Sequence, residues 1–213
     1  MSSIADIRKE YILQTLEEEL VDPDPFKQFE KWWNEAITAS IDEVNAMTLA
    51  TASSDGLPSA RIVLLKGYDA NGFLFFTNYE SFKGKQIDEN PRACLVFFWK
   101  ELERQVRITG LIRKISAEAN DEYYQSRPIG SQIGAHVSPQ SQVIESREWL
   151  TTREYQLLKA HEGNPINRPA NWGGYCVQAV TIEFWQGRPN RLHDRIQYSL
   201  QNNGEWKIER LAP

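Results

Sequence analysis

Long apolar runs are missing from this 213-residue sequence, and cysteine, histidine and methionine are scarce. No stretch approaches the roughly 20 apolar residues that a membrane-crossing helix needs, so none is predicted. The first twenty residues lack the basic segment, the apolar run and the small-residue cleavage site of a signal peptide. The two cysteines, Cys94 and Cys176, lie in apolar segments, and we expect buried free thiols. These features together favour a cytoplasmic location.

Several common site motifs are also missing. None of the twelve glycines falls into G-x-G-x-x-G or G-x-x-x-x-G-K-[ST], so neither a dinucleotide-binding turn nor a P-loop is indicated. His136, His161 and His193 are dispersed and the cysteines are distant from each other, so no metal site is predicted. A G-x-S-x-G nucleophile elbow is absent as well, which argues against that class of hydrolase.

What the chain does contain is an ordinary globular composition with 41% hydrophobic and 25% charged residues. Lys and Arg number 24 against 29 Asp and Glu, and the resulting net charge of -5 argues against general binding to nucleic acids or acidic membranes. Seven tryptophans suggest that some rings serve a flat ligand or an interface. With no repeat and no linker, residues 1–213 are interpreted as one domain.

The first forty residues are predicted to be helical. Ile4, Ile7, Tyr11 and Leu16 have helical spacing, and the segment VDPDP then interrupts the pattern. A second helix follows, with Asp24 at its N-cap and a proline in the first helical position.

From residue 44 onward, short apolar segments alternate with tight turns. Asp55-Gly56 and Asn71-Gly72 are turn sequences typical of β-hairpins. Further strands are predicted over 92–99, 103–115, 175–187, 191–200 and 205–211, and helices over 81–91, 117–127 and 138–161. The pattern favours a mainly β fold, an antiparallel barrel with peripheral helices.

The most distinctive basic segment is RLHDR. On a strand, Arg191, His193 and Arg195 would share one face, where they repel one another unless an anion or an acidic partner lies opposite. The aromatic segment FWQG just before it favours a flat anionic ligand. A solvated basic face remains the alternative.

A second candidate segment is Arg61-Ile62-Val63-Leu64-Leu65-Lys66. Strict alternation would place Arg61 and Lys66 on opposite faces of a strand. A ligand that contacts both therefore requires a bulge or has to wrap around the strand end. The simpler interpretation is a surface cation at each end of a core strand.

A third candidate is the series Tyr123, Arg127 and Ser131, at four-residue spacing. One helical turn and the loop after it could bring a phenol, a guanidinium and a hydroxyl together. Arg offers a planar pair of donors to phosphate, and hydroxyls add neutral donors. The alternative is an ordinary helix surface that ends at Pro128.

Taken in order, these segments resemble the pyridoxine/pyridoxamine 5′-phosphate oxidase family over about residues 8–213. The matching text is RIVLLK, FFTNYESFKGKQIDENPRA, FWKELERQVRITG, YYQSRPIGSQIGAHVSPQS, WGGY, EFWQG, RLHDR and WKIERLAP. The resemblance implies an FMN-binding split barrel, a Greek-key antiparallel β-barrel with helices around it. It further implies a homodimer with FMN between the subunits, without nucleic-acid or membrane partners.

The resemblance also implies the site residues. FMN contacts would come from Arg61, Ile62, Val63, Leu64, Leu65, Lys66, Phe76, Thr77, Lys83, Gln105, Gln140, Ser141, Trp185 and Arg195. Contacts to the substrate phosphate would come from Lys66, Tyr123, Arg127 and Ser131, and contacts near its pyridine ring from Arg191 and His193. Arg8 and Tyr11 match a segment that serves as a lid, within a helical region of about residues 1–40. Phe82 stands where some family members carry Arg.

The activity implied by the resemblance is oxidation of pyridoxamine or pyridoxine 5′-phosphate by oxygen to pyridoxal 5′-phosphate. Arg191 would cover the substrate ring, and His193 would position a ring substituent or assist proton movement. Three alternatives are a nicotinamide-dependent flavin reductase on the same barrel, a non-enzymatic flavin or pyridoxal phosphate carrier, and a nucleic-acid-binding protein. The reductase does not explain the combination of Tyr123, Arg127 and Ser131, and the net charge disfavours the last alternative.

Overall fold

In the part of the chain that the structure describes, nine strands form one antiparallel sheet with five α-helices along its margins. The structure is a computed structural model that describes residues 3–6, 9–161 and 163–213. The strands are β1 (Ala46–Ala52), β2 (Pro58–Leu64), β3 (Gly67–Asp69), β4 (Gly72–Asn78), β5 (Arg92–Trp99), β6 (Arg104–Lys114), β7 (Trp172–Gln186), β8 (Asp194–Leu200) and β9 (Trp206–Arg210). The helices are α1 (Pro25–Thr38), α2 (Phe82–Glu89), α3 (Ala117–Ser126), α4 (Ile129–Val137) and α5 (Arg147–His161).

The sheet curls into a half-barrel because its two ends are neighbours in the sequence. The strand order is β2-β1-β5-β6-β7-β4-β3, so β2 and β3 lie at opposite ends of the path. Only Leu65 and Lys66 separate these two strands. The Leu65 amide donates to Asn45 O (2.8 Å) beside β1, and the Lys66 amide donates to Leu74 O (2.8 Å) on β4. The predicted antiparallel β fold with peripheral helices is confirmed.

Turn sequences at the hairpins agree with the prediction. Gly56 and Gly72 have φ of 88° and 139°, a backbone conformation that side chains rarely adopt. These glycines end the turns between β1 and β2 and between β3 and β4. At Gly72 an added Cβ would lie 2.2 Å from Val177 O on β7, so the close approach of two strands also requires glycine.

Long strand β7 divides its pairing between two partners on one side. Residues 172–177 pair with β4, residues 181–186 pair with β8, and nearly the whole strand pairs with β6 on the other side. The two ends of β7 therefore belong to different regions of the barrel wall, an arrangement that decides the layout of the site.

Helix α1 forms where the sequence predicts a helix, and it packs on the barrel core. Asp24 caps it by accepting from the Phe26 amide at 2.8 Å. Its buried face places Phe29 at 5.4 Å from Phe97 and Trp32 at 5.1 Å from Phe184, measured between ring centres. Burial of these rings supplies the main driving force for helix docking.

Three local predictions were wrong. Over residues 3–6 and 9–24 the chain is not a continuous helix but contains only short 3₁₀ turns, Ile4–Asp6 and Glu18–Leu20. The predicted helix over 138–161 begins at Arg147, since Pro139 and the left-handed Ser141 (φ 70°) precede it. Ser131, expected in a loop, lies in α4, which starts directly after Pro128.

One further expectation needs correction. Cys94 and Cys176 are free, as predicted, but both are half-buried rather than buried. Among the described residues no helix is both long and apolar enough to cross a bilayer.

Candidate functional site

A cavity of about 620 Å³ lies where β2 and β4 meet the helices α2, α3 and α4. Four basic side chains line it, from Arg61, Lys66, Lys83 and Arg127. Among its described lining residues there is no carboxylate, and none of these four cations forms an ion pair within the described part of the chain. The cavity is therefore strongly suited to an anion.

Lys83 is the most deeply placed of these cations. Its ammonium lies 3.1 Å from Thr77 Oγ1 and 3.0 Å from Gln140 Oε1, and the side chain is 9% exposed. Burial, assisted by the nearby Arg61 charge, lowers the pKa of Lys83 from 10.5 to about 8. A buried ammonium held only by neutral acceptors would be stabilised by an anionic ligand.

Arg61 is fixed by neutral groups from its own strand β2 and from the adjacent strand β1. Its guanidinium donates to Thr51 Oγ1 at 2.7 Å and to Ser59 Oγ at 2.6 Å. Both hydroxyls donate to Gln86 Oε1 on α2, at 2.6 and 2.5 Å. Burial lowers the pKa of Arg61, although the group remains cationic.

Arg127 lies over an aromatic wall. Its guanidinium carbon is 4.3 Å from the centre of the Trp172 ring, and Phe76 stacks on Tyr123 with centres 3.8 Å apart. Nη1 of Arg127 is buried without a hydrogen-bond partner in the structure, and burial lowers the pKa of the group. A buried N–H group without a partner is expected to donate a hydrogen bond to a ligand oxygen.

Most residues predicted for the phosphate-binding part of the site are brought together here. The cavity is lined by Arg61, Ile62, Val63, Leu64, Lys66, Phe76, Thr77, Lys83, Tyr123, Arg127, Ser131 and Gln140. Arg61 and Lys66 both line the cavity without a bulge in β2. The strand ends at Leu64, so the alternation of side chains between its two faces does not extend to Lys66. Leu65 is instead part of the core, and Ser141 and the exposed Phe82 are outside the lining.

The remaining predicted cofactor residues form a row on the outer face of the sheet. Gln105 pairs with Trp185, and Trp185 pairs with Arg195, so their side chains project from the same face of three neighbouring strands. Phe98, which pairs with Gln105, extends the row and is 55% exposed. We call Phe98, Gln105, Trp185 and Arg195 the outer row.

A buried carboxylate orients the last member of the outer row. Glu183 receives the Arg195 guanidinium through Nε at 2.9 Å and Nη2 at 3.2 Å, and it also pairs with Arg107. Arg195 Nη1 donates to Ala212 O at 2.7 Å. The two-point contact with Glu183 fixes the plane of the guanidinium.

Tyr11 and His193 lie beside the outer row. The Trp185 and His193 ring centres are 4.6 Å apart, and Tyr11 lies 5.8 Å from Trp185 and 5.9 Å from His193. Arg191 lines the same cavity as Tyr11 and His193. Burial, followed by the Arg191 charge, lowers the pKa of His193, which favours the neutral imidazole near pH 7. Arg8 lies outside the described residues.

The predicted strand alternation of Arg191, His193 and Arg195 was wrong. Strand β8 starts at Asp194, and residues 189–191 form a 3₁₀ turn in which Asn190 and Arg191 are left-handed, with φ of 56° and 62°. Pro189 and these two residues interrupt the extended chain. Of the three basic residues only Arg195 therefore lies on a strand, although Arg191 and His193 line the same cavity.

One residue of the cavity and one of the outer row are far apart within the chain. Trp172 of the cavity and Trp185 of the outer row lie at opposite ends of β7, and along an extended strand thirteen residues span about 40 Å. Trp172 and Trp185 of the same chain therefore do not contact one small ligand together.

Sequence reasoning missed several residues that hold the site together. Thr51, Ser59 and Gln86 fix Arg61, and no local pattern distinguishes them from ordinary strand and helix residues. Trp172 could have been found from the WGGY motif, where an aromatic residue precedes two glycines. The importance of Glu183 depends on strand register alone.

Comparison with known proteins shows the family of the chain. The family model described as pyridoxamine 5′-phosphate oxidase matches residues 33–154. Curated pyridoxine/pyridoxamine 5′-phosphate oxidases are 54% identical in Nostoc sp. over 211 residues, covering 99% of both chains, and 52% identical in Cupriavidus necator over 213 residues, covering 100% of both. The chain belongs to the pyridoxamine 5′-phosphate oxidase family.

Other comparisons bear on the fold and on assembly of this oxidase-family chain. A model described as the pyridoxine 5′-phosphate oxidase C-terminal dimerisation region matches residues 172–213. PhzG from Burkholderia lata, solved with tetrahydrophenazine-1-carboxylic acid, superposes with a TM-score of 0.89 at 29% identity, covering 96% of this chain and 100% of that one. An FMN-binding protein from Nostoc punctiforme, related to the oxidases, shares the fold with a TM-score of 0.71 at 19% identity, covering 91% and 100%.

Proposed function

We propose that this member of the oxidase family converts pyridoxine 5′-phosphate or pyridoxamine 5′-phosphate to pyridoxal 5′-phosphate, with FMN as cofactor and molecular oxygen as acceptor. For the alcohol, substrate and O2 give the aldehyde and H2O2. For the amine, substrate, O2 and H2O give the aldehyde, NH3 and H2O2. The observation that carries the proposal is the cavity lined by four basic side chains and by no described carboxylate.

The residues present fit FMN. A flavin phosphate requires cations without competing acidic partners, and Lys83 and Arg61 are held by neutral groups alone. The unpartnered Nη1 of Arg127 indicates that a second anionic group is accommodated in the same cavity. Two phosphates, one from the cofactor and one from the substrate, account for both sets of donors.

The chain contributes positioning and electrostatics rather than a nucleophile. Bound FMN would supply the redox chemistry, a two-electron oxidation at the 4′ carbon with oxygen as the final acceptor. Arg127, Tyr123 and Ser131 would hold the substrate phosphate and thereby fix the position of the ring. Lys83 and Arg61 would bind the cofactor phosphate or the electron-rich edge of the flavin.

Two copies of the chain would complete each site. The outer row and the loop with Arg191 and His193 would come from a second chain, because Trp185 lies at the opposite end of β7 from Trp172 of the cavity. Exposed apolar side chains at both places support this assembly, since Ile62 at the cavity is 64% exposed and Phe98 in the outer row is 55% exposed. In such a homodimer Arg191 would cover the substrate ring and His193 would orient a ring substituent.

Colour and oxygen uptake test the proposal. Purified protein should be yellow and should release flavin on denaturation. Addition of pyridoxamine 5′-phosphate should cause oxygen uptake with equimolar H2O2 and NH3. Consumption of a reduced nicotinamide in place of this reaction would favour a flavin reductase, and bound flavin without either reaction would favour a carrier.

A further inference from the structure

Residues 9–13 are held against the barrel by a buried carboxylate. Glu103, which is 2% exposed, accepts hydrogen bonds at Oε2 from the backbone amides of Ile12 (2.9 Å) and Leu13 (3.2 Å). Its Oε1 lies 3.2 Å from the Lys9 ammonium. These partners are about 90 residues away in the sequence and immediately flank Tyr11.

The backbone around Glu103 completes the contact surface. The Gly187 amide donates to Glu103 O at 2.7 Å. A Cβ added at Gly187 would lie 2.7 Å from Cγ and 2.8 Å from Cβ of Tyr11, too close for the root of a side chain to remain in place. Tyr11 therefore packs directly on the backbone of residue 187. We call Glu103 and Gly187 the Tyr11 seat.

Core packing does not explain the choice of residues in the Tyr11 seat. Glu103 has φ of 56°, a left-handed conformation with a steric cost for a residue that has a Cβ. Its buried carboxylate also loses hydration, and this loss is offset by charge-assisted bonds to two amides and to Lys9. Each of these partners belongs to the segment that carries Tyr11.

We propose that Glu103 is a positioning residue that acts through Tyr11. By fixing the amides of Ile12 and Leu13, it holds the Tyr11 ring beside Trp185 and His193, where the ring closes one side of the substrate-binding region. The kinetic consequence of this role rests on the proposed function, whereas the structural consequence does not. Loss of the carboxylate releases the segment and speeds substrate dissociation.

Amide hydrogen exchange in the substrate-free protein tests the structural consequence. In Glu103→Ala, exchange of a peptide covering residues 11–16 should accelerate by about tenfold or more, while exchange of β6 stays unchanged. Glu103→Gln, which retains an acceptor oxygen, should show a smaller effect. Glu101→Ala is the matched control, because Glu101 is exposed and pairs only with Lys100. Equal exchange in the Glu103→Ala and Glu101→Ala proteins would overturn the proposal.

A double-mutant cycle tests the action through Tyr11. Glu103→Ala and Tyr11→Ala should each raise the substrate KM by roughly tenfold with a smaller change in kcat, and the double variant should resemble Tyr11→Ala alone. Gly187→Ala should reproduce the KM effect, because it displaces Tyr11 and leaves Glu103 intact. Multiplicative effects in the double variant would mean that Glu103 acts independently of Tyr11.

Failure of the two proposals can be distinguished. If the wild-type protein does not oxidise either B6 phosphate, the proposed function fails, yet the exchange experiment still decides whether Glu103 holds the segment. If Glu103→Ala does not fold, Glu103→Gln and Gly187→Ala provide the same comparison with smaller changes. Normal exchange and normal KM in both of these variants would refute the role of the Tyr11 seat.

Discussion

The guanidinium of Arg127 stacks on Trp172, with 4.3 Å between its central carbon and the ring centre, and leaves Nη1 buried without a partner. Stacking fixes the plane of the group, and Arg127 lines the cavity. Under the proposed function Arg127 would serve as an anion donor rather than as a structural cation.

Arg127→Ala should raise the substrate KM about 10–100-fold, the loss expected for a charged hydrogen bond of about 1.5–3 kcal/mol. FMN affinity should change much less, since Lys83 and Arg61 hold a separate group. Steady-state oxygen uptake and flavin titration measure the two effects. Arg153→Ala is the control, because Arg153 also lies over a tryptophan, Trp149, but outside the cavity. Equal losses of substrate and FMN affinity would mean that the two phosphate sites are wrongly separated.

Lys83 should make FMN binding dependent on pH. Because its pKa in the cofactor-free protein is lowered to about 8, part of the population is neutral above that pH. A bound phosphate favours the ammonium, so FMN binding at pH 8–9 should take up protons and weaken as the pH rises. Calorimetry in buffers of different ionisation enthalpy measures this uptake. Lys83→Met should abolish the uptake and weaken FMN binding about 10–100-fold, whereas the exposed Lys85→Met should do neither.

The same pKa shift predicts a stability effect. Between about pH 8 and pH 10.5 the unfolded chain binds more protons at residue 83 than the native state does, so this site makes the free energy of unfolding rise with pH across that window. Cofactor-free Lys83→Met should lack this contribution and should be at least as stable as wild type at pH 7. Urea denaturation at several pH values provides the measurement. A large destabilisation at pH 7 would contradict the view that the buried charge serves a ligand.

Arg191→Met should leave FMN bound but lower turnover sharply, because the substrate ring loses its cover. The pKa of His193 should rise toward its ordinary value, since a nearby positive charge is removed. If the neutral imidazole is the active form, the acidic limb of the kcat/KM profile should then move to higher pH. Normal turnover would remove the covering role, and an unmoved acidic limb would exclude coupling between the two residues.

Mixing two impaired variants, assayed at a substrate concentration well below the KM of the Arg127→Ala protein, tests the two-chain site. Arg127→Ala and Arg191→Met alter residues from the two separated regions, so each pure dimer carries two damaged sites. Random reassembly of an equal mixture gives about half heterodimers, each with one intact site, and should restore about a quarter of wild-type activity. Activity no higher than the mean of the pure variants would show that one chain supplies both groups.

Local patterns predicted the strands and most helices. Apolar segments of four to eight residues, bounded by Asp55-Gly56 and Asn71-Gly72, indicated hairpins because few other sequences adopt left-handed turns readily. Asp24 before Pro25 indicated the start of α1 for a similarly local reason, a side-chain oxygen that satisfies a free amide. Neither required knowledge of distant residues.

Two of the errors have different causes. Residues 9–16 have apolar positions at helical spacing, yet they are not helical, because amides in this segment bond to the carboxylates of Glu103 and Asp194. In that segment tertiary contacts prevailed over the local pattern. The segment with Arg191 and His193 has the alternation of a strand, but Pro189 and two left-handed residues turn it away from the sheet, which is a local cause.

By itself the sequence determined an antiparallel β fold, the chemistry of phosphate recognition and the order of the basic clusters, because turn residues and side-chain charges act locally. Tertiary structure alone decided which cations share a cavity and which lie at the far end of β7. Strand register and the closure between β2 and β3 set those distances, and both arise from contacts between residues far apart in the chain.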